Sequence, residues 1–191
     1  MNNKEITFNY YHKIPNNNCT KLELIKWRFD ELGIKLTDLA EIAKAKINYF
    51  RPEVELEPNL RAVKAVLAKR EIQNSLVTAI NLDVLAENKL LVGPLQGMML
   101  DDRGTFGIDE LMMNLSDLYG TIALTSAEEL DLHKTGIIKE IDNLGKQTEW
   151  CTTFIDDQLC MLVGCAVGKL SHELEINKNK SDDEKMLNSF N

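Results

Sequence analysis

Two pairs of adjacent carboxylates are the residues best suited to chemistry in this sequence. Asp156-Asp157 opens an apolar run of small residues, and Asp109-Glu110 opens a second apolar stretch in the middle of the chain. Carboxylate oxygens are the hard ligands that Mg²⁺ prefers. If the pairs meet around one divalent cation, the protein is a metal-dependent enzyme. If they do not, they are ordinary features of helix starts, in which one residue of a pair caps the helix and the other lies in the positive field of its first turn.

Other charged residues have simple structural interpretations. Asp102 belongs to a turn signal with Arg103-Gly104, and Asp131 and Lys134 are spaced to form an exposed ion pair on one helix face. The charged run around Arg70 is typical of a solvated face. Each of these features is weakly specific alone, so only their joint order carries information about function.

The usual motifs of covalent and nucleotide chemistry do not occur in the sequence. It contains no G-x-x-x-x-G-K-[ST] phosphate loop, no G-x-S-x-G nucleophile elbow, no H-E-x-x-H and no D-x-D-x-[TV] segment. No cysteine is followed six positions later by arginine, and the three histidines are scattered along the chain. Metal-assisted chemistry by carboxylates therefore remains the plausible enzymatic mode.

Helices must position these residues, because apolar residues recur at helical spacing and no stretch alternates with period two. Thr20 and Glu23 form a capping-box pattern that predicts the start of one helix, and Pro58 fits the first turn of another. Further helices are predicted over about 108–119, 127–133, and 137–144, the last of these closed by Gly145. A final helix over about 155–175 is apolar on nearly all sides, which predicts a central position in an all-α, single-domain bundle.

The ends of the chain differ from this helical body. We expect residues 1–18 to form a loosely ordered leader, residues 19–175 to form the helical domain, and the polar residues 176–191 to form a disordered tail. Within the central helix, Gly164 and Gly168 are four positions apart. Their spacing predicts close approach of a neighbouring backbone.

The composition of the chain limits the classes of partner that it is expected to bind. The chain has 191 residues, 44% hydrophobic content and a formal net charge of −8, which disfavours nucleic acid and passive docking on an anionic membrane. The four cysteines show no metal-binding spacing, so we expect buried thiols in a reducing compartment. We expect a cytoplasmic protein without a signal peptide or a transmembrane segment. Self-association is open, since no feature fixes an oligomeric state.

Four blocks in order resemble the phosphatidylglycerophosphatase A family, in particular its small soluble branch without membrane spans. The blocks begin at Leu67, Gly107, Leu130 and Thr153, and they read LAKREIQ, GIDE, LDLHK and TFIDD. Three departures accompany the resemblance. The membrane spans and Pro-Gly-Thr segment of other members are missing, Thr135 follows the lysine where the family has proline, and Cys160-Met161 replaces small residues.

The resemblance implies Mg²⁺-dependent removal of phosphate from phosphatidylglycerophosphate, a step in phospholipid biosynthesis, by a protein that contacts a lipid head group peripherally. The metal ligands that it implies are Asp102, Asp109, Glu110, Asp131, Asp156 and Asp157. The catalytic set is Asp109, Glu110, Lys134, Asp156 and Asp157. Lys134 and Arg70 would bind the substrate phosphate. Two alternatives stay open: a metal-dependent phosphatase or nucleotide hydrolase acting on a water-soluble compound, and a non-catalytic helical interaction module.

Overall fold

The first helix of the described residues begins where its capping box predicts. The computed structural model describes residues 15, 18–100, 107–108, 113–148 and 150–189, with side chains up to residue 175 and at residue 186. In this structure α1 spans Lys21–Leu32. The Thr20 hydroxyl accepts from the Glu23 N–H at 3.3 Å, and the Glu23 carboxylate accepts from the Thr20 N–H at 2.6 Å. These reciprocal bonds satisfy two N–H groups that the first turn leaves free.

Four helices follow in the first half of the chain. They are α2 (Leu36–Asn48), α3 (Leu56–Leu67), α4 (Arg70–Glu87) and the short α5 (Pro94–Leu100). Pro58 lies in the first turn of α3, as predicted, where its missing N–H costs no helical bond. The chain leaves helical geometry at Lys69, which separates α3 from α4.

The second half contains a 3-10 helix (Asn114–Tyr119), α6 (Thr121–Leu132), α7 (Gly136–Gln147) and α8 (Ile155–Ser189). The predicted start of α6 near residue 127 was too late, because Gly120 with a φ of +81° allows the chain to turn directly into a helix at Thr121. Gly145 does not close α7 but lies within it. A Cβ there would lie 2.1 Å from the Thr152 hydroxyl, so this glycine permits packing.

The central position of α8 confirms the predicted all-α, single-domain architecture. Every residue from 151 to 168 is buried, and α8 packs most extensively against α6, then against α3 and α2. A Cβ on Gly164 would lie 2.5 Å from the Ala123 carbonyl oxygen, and one on Gly168 would lie 2.7 Å from the Ala123 Cβ. The two glycines therefore let α6 approach α8 closely, as their spacing predicts.

The ends of the chain differ in part from what the sequence predicts. The last helix continues to Ser189, beyond the end predicted near residue 175 and through most of the segment expected to be disordered. Most of the predicted leader lies outside the described residues.

Cys151, Cys160 and Cys165 are buried free thiols, and Cys19 is half-buried. In the described part of the chain, no helix is both long enough and apolar enough to cross a membrane.

Candidate acid–base site

Lys134 joins three carboxylates at the amino-terminal end of α8. The lysine follows the end of α6, and its Nζ lies 2.9 Å from Asp131 Oδ1 and 3.2 Å from Asp157 Oδ1. It also pairs with Asp156 Oδ2. The i,i+3 pair that the sequence predicts on one helix face therefore exists. It is not a solvated pair, because the Lys134 side chain is only 18% exposed and bridges to the buried Asp156-Asp157 pair. We call these four residues the acid–lysine cluster.

The two adjacent aspartates have different pKa values because they are buried among different charges. Desolvation raises the pKa of Asp156 to about 6, against the opposing attraction of the Lys134 ammonium. Desolvation and the neighbouring Asp156 charge raise the pKa of Asp157 to about 9. Near neutral pH, Asp157 therefore holds a proton while Asp156 is mostly ionised. One acid and one base lie side by side, as proton-transfer chemistry requires.

Asp131 accepts a hydrogen bond from the protonated carboxyl group of Asp157. Burial pushes the pKa of Asp131 upward, but hydrogen bonds from Asp157 and Lys134 outweigh burial, so the pKa is lowered overall. The pKa of Lys134 is raised, because the charges of Asp156 and Asp157 outweigh its desolvation. At neutral pH the cluster thus contains two carboxylates, one carboxylic acid and one ammonium.

A carboxylate from another helix fixes the start of α8. Asp83, on the buried face of α4, accepts the N–H of Phe154 at 3.1 Å and the N–H of Ile155 at 3.0 Å. The alternative interpretation, in which one aspartate caps α8 and the other lies in the field of its first turn, is therefore corrected in one part: both aspartates lie in the first turn, but the distant Asp83 accepts the N–H groups at the helix start. Within the pair, Asp156 Oδ1 accepts the Asp157 N–H at 3.0 Å.

Sequence reasoning missed Asp83, although a signal was present. The residue follows Leu76, Ala79 and Ile80 on the apolar face of a helix, where an ionisable side chain needs partners. Complete burial raises its pKa well above the ordinary value, against the opposing effects of the Arg28 charge and the Phe154 N–H. A carboxylate on a buried helical stripe indicates such a cap.

A second buried network holds the segment before α8. The Arg28 guanidinium lies 2.5 Å from Glu87 Oε1 and donates to the Cys151 carbonyl oxygen at 3.0 Å. The Cys151 N–H donates to the same Glu87 oxygen at 3.0 Å. The Thr153 hydroxyl donates to the Met99 carbonyl oxygen at 2.7 Å. These bonds fix the backbone that leads into the aspartate pair.

A small polar cavity lies beside Asp156. Its volume is about 30 Å³, and its lining includes Asp142, Lys146, Thr152 and Thr153. A polar cavity of this size has room for about one or two water molecules. Asp156 therefore has a place for a water molecule on one side and the Lys134 ammonium on the other.

The other predicted site residues are Arg70, Asp102, Asp109 and Glu110. Asp102, Asp109 and Glu110 lie outside the described residues. Arg70 is exposed, and its guanidinium pairs with Glu71 at 2.7 Å. Among the described residues, no group of three or more His, Cys, Asp or Glu side chains could by itself hold a metal ion. The three clustered carboxylates surround the Lys134 ammonium instead.

Relatives of the chain are found in Bacillus. No family model matches the sequence. The uncharacterized protein YutG of Bacillus subtilis is 36% identical over 146 residues, covering 76% of this chain and 87% of YutG. The uncharacterized protein YpjQ of the same organism is 34% identical over 168 residues, covering 86% of this chain and 93% of YpjQ. The chain belongs to the YutG/YpjQ family.

Solved structures agree with this membership. The crystal structure of YpjQ, described as a DUF64 protein, has a TM-score of 0.73 at 34% identity, covering 82% of this chain and 98% of YpjQ. The low temperature requirement C protein from Listeria monocytogenes has a TM-score of 0.77 at 31% identity, covering 83% of this chain and 99% of that protein. The YutG/YpjQ fold is therefore shared along nearly the whole length of these proteins.

The YutG/YpjQ membership corrects the resemblance stated above. The relatives and the YpjQ structure point to a different family from phosphatidylglycerophosphatase A, so that assignment was wrong. The lipid substrate and the place in phospholipid biosynthesis rested on the resemblance alone and have no further support. The acid–lysine cluster stands without it, because its contacts are read from the structure.

Proposed function

We propose that this protein is a hydrolase that cleaves the phosphate ester of a water-soluble compound, with Mg²⁺ as its cofactor. The observation that supports the proposal is the convergence of the buried Asp156 and Asp157 with Asp131 on the Lys134 ammonium, where burial raises the pKa of both members of the aspartate pair. Perturbed carboxylates that face a polar cavity are typical of catalytic sites. A phosphate compound dissolved in water needs no membrane contact to reach them.

The donor chemistry of the cluster fits Mg²⁺. Asp131, Asp156 and Asp157 offer only hard oxygen donors, and burial disfavours their ionised forms unless a cation compensates. These three residues would supply part of the ligand set, and Asp109-Glu110 is the second carboxylate pair that the sequence predicts around the same ion. When bound, Mg²⁺ would supply charge neutralisation at a phosphoryl oxygen.

The side chains of the cluster have separate roles in this proposal. Asp156 accepts a proton from a water molecule in the polar cavity, since each of its oxygens keeps a lone pair beyond the bonds described above. Lys134 neutralises negative charge that develops on the phosphoryl group. Asp157 would give up its proton when it holds the ion, and the neighbouring Asp131 keeps its side chain in place.

The test is phosphate release from a panel of water-soluble esters: p-nitrophenyl phosphate, a sugar phosphate, a nucleoside monophosphate and a nucleoside diphosphate. We expect release with Mg²⁺ and none with EDTA. Asp156→Asn should lower kcat by about 100-fold or more, because it removes the general base. The matched control is Asp30→Asn, which removes a carboxylate from an exposed ion pair on α1 and should leave kcat unchanged.

Two results would contradict the proposal. Absence of release from every ester by the wild type rejects the hydrolase, and full activity in Asp156→Asn rejects the site. A separate measurement tests the cofactor: Mg²⁺ should raise the melting temperature more at about pH 8.5 than at about pH 6.5, because binding must displace the Asp157 proton. Equal shifts at both pH values, or no shift, would argue against Mg²⁺ binding at this pair.

A further inference from the structure

A long apolar groove lies between α2 and α6, on the face of the bundle formed by these helices. It has a volume of about 860 Å³, with Val167 of α8 at its floor. We call it the α2–α6 groove, and its apolar walls are formed by Ile42, Tyr49, Phe50, Ile122 and Ile137. None of these residues belongs to the acid–lysine cluster, so the groove is not explained by the proposed chemistry.

Two aromatic rings stand exposed at one end of the groove. Tyr49 is 84% exposed and Phe50 is 74% exposed, and their rings meet edge to face with centroids 4.9 Å apart. On the opposite wall, Ile122 is 43% exposed. Exposed aromatic side chains next to an apolar groove are typical of surfaces that bind another protein.

The groove is long enough for a helix. A second cavity of about 380 Å³ shares Phe50 and Ile122 with it and extends to Leu174. The flanking helices α2 and α6 have 13 and 12 residues, or about 18–20 Å at 1.5 Å per residue. An apolar helical face of about three turns matches this length, and such a helix in a groove is a recurrent mode of peptide recognition.

The charge at the edge of the groove selects the occupant. Lys46, which lines the groove, is paired with Glu129, and Arg51, which lines the adjoining cavity, is paired with Glu175 at 3.3 Å. Asp38 and Glu41 also line the groove, and within the described part of the chain neither has an ion-pair partner. A second copy of this chain carries a net charge of −8 and would meet this acidic edge with like charge.

We propose that the α2–α6 groove binds an amphipathic helix of another protein, with an apolar face in the groove and lysine or arginine residues beside Asp38 and Glu41. The apolar walls, the exposed rings, the length and the acidic edge formed by Asp38 and Glu41 each match this occupant. The inference stands independently of the proposed hydrolase, because no residue of the groove takes part in that chemistry.

The test uses a fluorescent peptide made only of leucine and lysine, about five helical turns long, with leucine along one face. Fluorescence anisotropy should show binding by the full-length wild type. The double variant Tyr49→Ala/Phe50→Ala should weaken binding by about tenfold or more, because it removes the exposed anchors. The control Leu90→Ala/Val92→Ala removes comparably exposed apolar groups away from the groove and should change binding by less than about twofold.

A charge-matched pair tests the selectivity. Glu41→Gln should weaken binding by about two- to fivefold, whereas Glu57→Gln on α3 should not, and a leucine–glutamate peptide of the same pattern should not bind. Unchanged binding in Tyr49→Ala/Phe50→Ala, or equal binding of the glutamate peptide, would overturn the proposal. Sedimentation showing a dimer that the same double variant dissociates, with no binding of the lysine peptide, would overturn it in favour of a second copy.

Discussion

Replacing Asp157 with asparagine should stabilise the folded protein, and the gain should grow with pH. The substitution keeps the shape of the side chain and an N–H donor for Asp131, but removes the ionisable group. Asp157 is only 4% exposed, so water does little to relieve the unfavourable burial of its charge. The wild type must therefore take up a proton at this position whenever it folds near neutral pH.

The size of the effect follows from the change in pKa. Burial and the Asp156 charge raise the pKa of Asp157 from 3.8 to about 9. Because the folded-state pKa is raised, the contribution of this group to stability is complete below 3.8 and is lost as the pH rises towards about 9. The loss is about 1.4 kcal/mol per pH unit, or about 4 kcal/mol at pH 7.

Urea unfolding followed by circular dichroism in EDTA measures this directly. The difference in unfolding free energy between Asp157→Asn and the wild type should increase from about 3 kcal/mol at pH 6 to about 6 kcal/mol at pH 8. Asp30→Asn, on the exposed surface of α1, should show a difference that does not change with pH. A difference for Asp157→Asn that stays constant over this range would refute the assignment of the proton to Asp157.

Three further substitutions test the packing around the cluster. Gly164→Ala should destabilise the protein by about 1–3 kcal/mol in urea unfolding, because the added Cβ would lie 2.5 Å from a backbone oxygen of α6. The control Gly97→Ala adds a Cβ with no atom within 4 Å and should be neutral or stabilising. Asp83→Asn should lower the unfolding free energy by about 1–3 kcal/mol. The reason is that the new amide points an N–H donor at one of the two backbone N–H groups from which Asp83 accepts a hydrogen bond. An unchanged unfolding free energy would mean that this cap is dispensable. Lys134→Met should lower it by about 3–5 kcal/mol without divalent cations, against less than about 1 kcal/mol for Lys26→Met in an exposed pair. Equal effects of the two lysine substitutions would mean that the buried carboxylates do not depend on the ammonium.

The sequence predicts the fold well because local rules and burial agree along most of this chain. The apolar run behind Asp157 reads as a helix and also as a core element, so its central position follows from its composition alone. Gly164 and Gly168 indicate the close contact in the same way. The boundaries near Thr121 and Gly145 were missed because a glycine there serves a turn or a tertiary contact, and local patterns do not distinguish these uses from a helix end.

The site was only half predictable for a related reason. The aspartate pair and the Asp131–Lys134 spacing are visible in the sequence, but the convergence of the two segments depends on how α6 ends beside the start of α8. Asp83 is 72 residues from the N–H of Ile155 that it caps, a separation that no local pattern encodes. The pKa separation within the pair is likewise set by burial, which is a property of the assembled core.

The thiol of Cys151 gives the protein a natural reporter of motion near the cluster. Its Sγ lies 3.4 Å from the Met99 carbonyl oxygen and 3.5 Å from the Thr153 hydroxyl, and burial and Asp83 raise its pKa to about 12. Such a thiol reacts with an alkylating reagent only after the segment before α8 detaches. Its alkylation rate therefore reads the local opening free energy of this segment in the unmodified protein, and bound ligands that hold the segment closed should slow the reaction.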